Sequence, residues 1–97
     1  MAIWVSLVNL TDQGIRDIKK GPERLEEAAN RIEEMGGNLL GFYLTMGDYD
    51  YVTIVEGPSD EVAMTFLLGM GAAGNIRTKT LKAFTLDEFK EMVKGLA

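Results

Sequence analysis

The chain has no cysteine and no histidine among its 97 residues, and each absence removes chemistry. Without cysteine there is no disulfide, no thiolate nucleophile and no cysteine-ligated zinc or iron–sulfur cluster. Without histidine the usual general base, the haem-ligating imidazole and the commonest transition-metal ligand are missing. Basic residues are also scarce: ten Lys and Arg stand against fifteen Asp and Glu, a net charge of −5. No basic cluster is larger than Lys19-Lys20, so a phosphate backbone finds no complementary surface and nucleic-acid binding is not expected. No run of about 20 apolar residues is present, so no membrane partner is expected either. The apolar start, Met1 to Val8, is too short for a signal-peptide core and carries no basic leader, which makes a cytoplasmic location the expectation.

What is present has ordinary globular proportions, 46% hydrophobic and 26% charged residues. A chain of this length allows a single domain, 1–97, burying roughly 65% of its unfolded surface. Residues 2–10 are rich in β-branched and aromatic types and read as a first strand. Thr11-Asp12 offers an N-cap for a short helical stretch over 13–20, and Pro22 starts a fresh helix to Met35. Leu25, Ala28, Ala29, Ile32 and Met35 form its apolar stripe, and Gly36-Gly37 stops it. Residues 38–46 and 49–56 read as a hairpin turning through Gly47-Asp48. Ser59-Asp60 caps a helix to about Met70, ended by Gly69, Gly71 and Gly74. Residues 75–84 make a fourth strand, and Thr85 with Glu88 reads as a capping box for a last helix with Leu86, Phe89, Met92, Val93 and Leu96 on one side.

The order β-α-β-β-α-β plus a C-terminal helix is the ferredoxin-like α+β pattern, an antiparallel sheet of strand order 4-1-3-2 with two helices on one face. The other face of such a sheet is expected to be polar. Here Ile3, Val5 and Leu7 lie on one side of the first strand and Trp4 and Val8 on the other; Leu40, Phe42 and Leu44 oppose Leu39 and Tyr43 in the second. Two helices cover only one apolar face, so a second copy is expected to cover the other. Self-association, as a dimer or higher oligomer, is the partner expectation.

Three segments, 8–15, 41–50 and 74–81, resemble the GYD-domain family, whose Gly-x-Tyr-Asp run corresponds to Gly47, Asp48, Tyr49 and Asp50. The resemblance spans nearly the whole chain. It implies a ferredoxin-like fold of the dimeric α/β-barrel type and specifies no activity.

Strand directions bring the end of the first strand, the hairpin and the start of the fourth strand to one edge of the sheet. Asn9, Asp12, Tyr43, Asp48, Tyr49, Asp50 and Arg77 are therefore the candidate ligand-binding residues, with Arg77 suited to Asp50, Asp12 or an anionic ligand. The structural alternative leaves Gly47-Asp48 as a turn, Asp50 as a hydrogen-bond acceptor and Asp12 as a cap. Asp12, Asp48 and Asp50 match no known cation-binding loop, and no metal or cofactor is expected. Gly69, Gly71 and Gly74 spell G-x-G-x-x-G, but after a helix and before a strand, the reverse of the dinucleotide-binding context. Trp4, Phe42, Phe66, Met35, Met64 and Met70 serve either as core or as the lining of an apolar pocket. Two functions follow: a binding or regulatory module for a small polar or anionic ligand, or a cofactor-free enzyme of the monooxygenase, isomerase or decarboxylase kind. In the second, Asp50 or Asp12 would be the base, Tyr43 or Tyr49 the donor and Arg77 the oxyanion partner.

Overall fold

Alternation along the first strand sets the orientation of the sheet. In the computed structural model, which describes residues 1–97, Ala2–Leu10 forms β1 with Trp4, Ser6 and Val8 buried and Ile3, Val5 and Leu7 half-buried. Residues two apart share a face, so the first set meets the helices and the second does not. Strands β2 (Asn38–Leu44), β3 (Tyr51–Gly57) and β4 (Ile76–Ala83) complete an antiparallel sheet of order β2-β3-β1-β4. This is the ferredoxin-like order predicted from the sequence.

Helices α1 (Asp12–Arg16), α2 (Gly21–Glu34), α3 (Asp60–Ala72) and α4 (Leu86–Lys94) connect or follow the strands, with one 3-10 turn at Ile18–Lys20. Their starts obey local chemistry. Thr11, Ser59 and Thr85 accept hydrogen bonds from the backbone N–H of Gly14, Val62 and Glu88, and the Thr85–Glu88 capping box closes in both directions. Each such cap contributes about 1 kcal/mol by satisfying an otherwise orphaned donor. Helix α2 lies against β2, and α3 against β3 and β4, so both cover the Trp4 face.

Three local features differ from the sequence expectation. The strands flanking Gly47-Asp48 are shorter than predicted, leaving 45–50 as a loop instead of a two-residue turn. Thr45 N donates to Asp50 O at 2.9 Å and Thr45 Oγ1 donates to Tyr49 O at 2.6 Å, while Asp50 N donates to Val8 O of β1 at 2.9 Å. Those bonds tie the base of the loop, and Gly47 turns its tip at φ +102, a left-handed conformation that glycine adopts without strain. Tyr43 consequently pairs with Val52 and not with Asp50.

Second, a bulge between Leu39 and Gly41 shifts the β2–β3 register. A one-residue slip reverses which side chains share a face, so Leu39, Phe42 and Leu44 lie together on the helix side, opposite Val55, Thr53 and Tyr51. Third, α3 runs through Gly69 and Gly71 to Ala72. Glycine costs a helix interior about 1 kcal/mol, less than the continuing packing and hydrogen bonding supply.

The single chain is poorly covered. Its exposed surface is 6912 Å², whereas a compact monomer of 10.7 kDa exposes roughly 5,500 Å². Its radius of gyration is 14.8 Å against about 12.5 Å for this length. Two features account for the excess. The sheet face away from α2 and α3 carries Ile3, Val5 and Leu7 beside Val52, Ile54 and Leu81, with no layer over it. Helix α4 extends past the sheet edge with its apolar side bare.

Candidate functional site

The three motif-bearing segments meet at one sheet edge. Thr11 N donates to Asn75 O at 3.0 Å and Thr11 Oγ1 donates to Gly74 O at 2.6 Å. Gln13 Nε2 donates to Asn75 Oδ1 at 2.9 Å and to Ala73 O at 3.2 Å. Gly14 is pressed onto the carbonyl of Asn75 so closely that any Cβ would strike it. Asp50 joins the same edge through Oδ2, which accepts from Leu10 N at 2.8 Å.

This edge is held together by its own bonds. Asp50 satisfies the last N–H of β1, and Thr11 caps α1 while Asp12, in the first turn, is exposed. Asp48 is exposed in the loop, and Tyr49, half-buried, offers its carbonyl to Thr45. Asn9 and Arg77 are register partners on the uncovered sheet face, and Tyr43 is exposed on that face of β2. The suggested pairing of Arg77 with Asp50 or Asp12 does not form. The ion pairs are Asp17–Arg24, Asp60–Lys82 and Glu91–Lys94, because Asp50 turns to the Leu10 amide and Arg77 follows Asn9. No three acidic residues gather as a cation site.

A different site lies between the sheet and its helices. An enclosed space of about 80 Å³ opens into a trench of about 830 Å³ that includes its solvent-filled mouth. The enclosed part has room for several waters or one ring-sized group. Apolar walls come from α2 (Leu25, Ala28, Ile32) and α3 (Val62, Phe66, Met70). Of the aromatic and methionine residues weighed in the sequence, Trp4, Met35, Phe66 and Met70 line this space, whereas Phe42 and Met64 lie outside it.

The floor of the trench is unusual for an apolar space. Ser6 of β1 is in register with Thr53 of β3 and Thr80 of β4, so three hydroxyls lie side by side across three adjacent strands. The next rung adds Tyr51 and Thr78 on either side of Val8. Ser6 Oγ and Thr80 Oγ1 are 2.8 Å apart and hydrogen-bonded. One hydroxyl hydrogen is used in that bond, leaving the other for an acceptor. Burial, and then the neighbouring Asp50 carboxylate, push the Tyr51 phenol above the ordinary 10.0, so it remains a neutral donor. Its ring tilts against Phe42 with centroids 5.1 Å apart. Glu56, the one carboxylate bordering the trench, accepts from Asn38 Nδ2 at 3.0 Å.

Sequence reasoning passed over Ser6, Thr53, Thr78 and Thr80. Their signal was present: each is a polar residue at an inward position of an otherwise apolar strand.

Fold and trench define a small α+β domain of ferredoxin-like topology with an apolar, hydroxyl-floored cavity between its layers. The chain belongs to the GYD domain family, whose profile matches residues 4–93. It is 28% identical over 95 residues, 97% of this chain and all of the relative, to a Thermus thermophilus protein described as a glutamine synthetase and cystathionine beta-lyase binding protein. Among solved structures it resembles FFRP-DM1 with a TM-score of 0.62 at 20% identity, over 87% of this chain and all of that one. It also resembles a second Thermus thermophilus structure, that of TTHA0845, with a TM-score of 0.53 at 22% identity, over 88% of this chain and 95% of that one. Both structural likenesses concern the fold. No helix is long and apolar enough to cross a membrane.

Proposed function

We propose that this chain is a self-associating binding module, assembled in the dimeric α/β-barrel manner, whose inter-layer trench takes a small, largely apolar, uncharged ligand. The observation that carries the reading is the hydroxyl row Thr53–Ser6–Thr80 on the floor of an otherwise apolar cavity. Hydroxyls in a core are costly unless bonded, and only a guest with a carbonyl or ether oxygen uses a free donor there. Charged guests fit poorly, because the trench offers no cation and its one carboxylate is already engaged. Assembly through the uncovered sheet face leaves the trench, on the opposite side of the sheet, free. The relative described as binding two enzymes supports binding over turnover as the kind of activity. A cytoplasmic setting suits a cysteine-free chain.

Trp4, the only tryptophan, lies on the trench floor and reports occupancy by its fluorescence. Titration with acetophenone and ethylbenzene, which differ by one carbonyl, tests the reading. Acetophenone is expected to bind at least tenfold more tightly, and replacing Ser6 and Thr80 together by Val is expected to erase the difference. Binding of neither compound, or equal binding of both, contradicts the trench reading.

An anionic ligand at the sheet edge is a narrower second reading. It is favoured by Arg77, exposed and outside every ion pair beside a shallow depression bordered by Thr11, Gly74 and Thr78. Titration with inorganic phosphate tests it: heat lost in Arg77→Gln supports it, and no heat with the wild type overturns it.

A further inference from the structure

Helix α4 is well specified and yet has nothing of its own chain to lie on. Thr85 Oγ1 accepts from Glu88 N at 3.1 Å and Glu88 Oε1 accepts from Thr85 N at 2.9 Å, so its start is doubly capped. Asp87 and Glu88 in the first turn and Lys94 in the last complement the helix dipole. Its apolar side is exposed throughout: Leu86 by 66%, Phe89 by 59%, Met92 by 49%, Val93 by 47% and, just beyond, Leu96 by 75%. No substantial packing joins it to any strand or helix of the domain. A nine-residue helix is marginal in water unless one face is packed.

We infer that α4 seats on a second copy of this chain, across the exposed margin of β2 formed by Leu40, Tyr43 and Leu44. The inference rests on the self-association proposed above and adds which segment each copy contributes. Surface area favours such an occupant. The chain exposes about 1,400 Å² more than a compact monomer of its mass, well above the ~800 Å² each partner gives to a standard interface. Geometry favours it too. Strand β4 is an edge strand whose last residue, Ala83, pairs with Ile3, so α4 leaves from a sheet edge and extends the molecule to 53 Å. Strand β2 is the other edge, and its Leu40, Tyr43 and Leu44 are 51, 63 and 74% exposed. In a two-fold pair each copy gives one helix and receives one, so both apolar surfaces are used and the assembly closes.

Sedimentation velocity on three proteins tests this: wild type, Phe89→Asp with Met92→Asp in α4, and Val5→Asp in the centre of the bare sheet face. Circular dichroism and Trp4 emission check that each domain is folded. The α4 variant is expected to keep its strand signal and weaken assembly about 100-fold. If it assembles like wild type while Val5→Asp dissociates, the helix exchange is overturned and self-association through the sheet stands. If wild type itself is a monomer, both fall. Cysteine trapping decides the case of an α4 variant that does not fold. In this cysteine-free chain, a Met92→Cys copy mixed with a Leu44→Cys copy is expected to give the mixed disulfide dimer under mild oxidation. Assembled protein that yields no mixed dimer overturns the exchange.

Discussion

The carboxylate of Asp50 accepts a hydrogen bond from the backbone N–H of Leu10 at 2.8 Å, fastening the hairpin loop to the end of the first strand. Hydrogen bonds to a charged group contribute about 1.5–3 kcal/mol. Asp50→Ala is therefore expected to lower unfolding free energy by roughly that amount. Asp50→Asn, which retains an acceptor oxygen, should cost less. Urea unfolding followed by circular dichroism measures both, and an unchanged midpoint in Asp50→Ala would falsify the structural role.

The close approach of Gly14 to the Asn75 carbonyl makes a second expectation. Gly14→Ala forces backbone against backbone, since the obstructing atom is not the end of a flexible side chain. A loss of about 1–3 kcal/mol is expected, of the size seen for overpacking. Retained stability in thermal unfolding would show that the 11–14 and 73–75 segments separate more easily than their hydrogen bonds imply.

Tyr51 gives a pH dependence. Its folded-state ionisation lies above that of the unfolded chain, because burial and then Asp50 disfavour the phenolate. Stability from this group is thus fully present below about pH 10 and is lost as pH rises through the higher folded value. Absorbance at 295 nm should show one of the three tyrosines ionising later than the others, and Tyr51→Phe should remove that late step. Three tyrosines titrating together near pH 10 would contradict the burial of Tyr51.

The Ser6–Thr80 pair separates stability from binding. Ser6→Ala alone leaves the Thr80 hydroxyl without its partner and should cost about 1 kcal/mol. Replacing both by Val removes the polar pair altogether and should be neutral or stabilising, while abolishing discrimination between acetophenone and ethylbenzene. A double variant that still discriminates would place the polar recognition elsewhere.

Much of the fold was legible because it rests on local or periodic signals. The Thr85–Glu88 capping box, Pro22 in the first turn of α2 and the alternation of Trp4, Ser6 and Val8 with Ile3, Val5 and Leu7 all carry into the structure. The bulge at Leu39/Gly41 was not legible, because alternation assumes an unbroken register and an extra residue leaves no separate mark. The partner of Asp50 was hidden too, being a backbone amide 40 positions away that any residue would supply. The hydroxyl row lay between these cases. Its members were visible one strand at a time, but only the cross-strand register aligns Thr53, Ser6 and Thr80 into one feature.

Ile3, Val5, Leu7, Val52, Ile54 and Leu81 form an apolar sheet face that no element of the chain covers. Sedimentation velocity of the purified protein across low micromolar concentrations measures directly whether another copy covers it. A dimer or larger closed assembly, dissociated by Val5→Asp, is the expected result. A wild-type protein that sediments as a single 10.7 kDa chain at every concentration would contradict it.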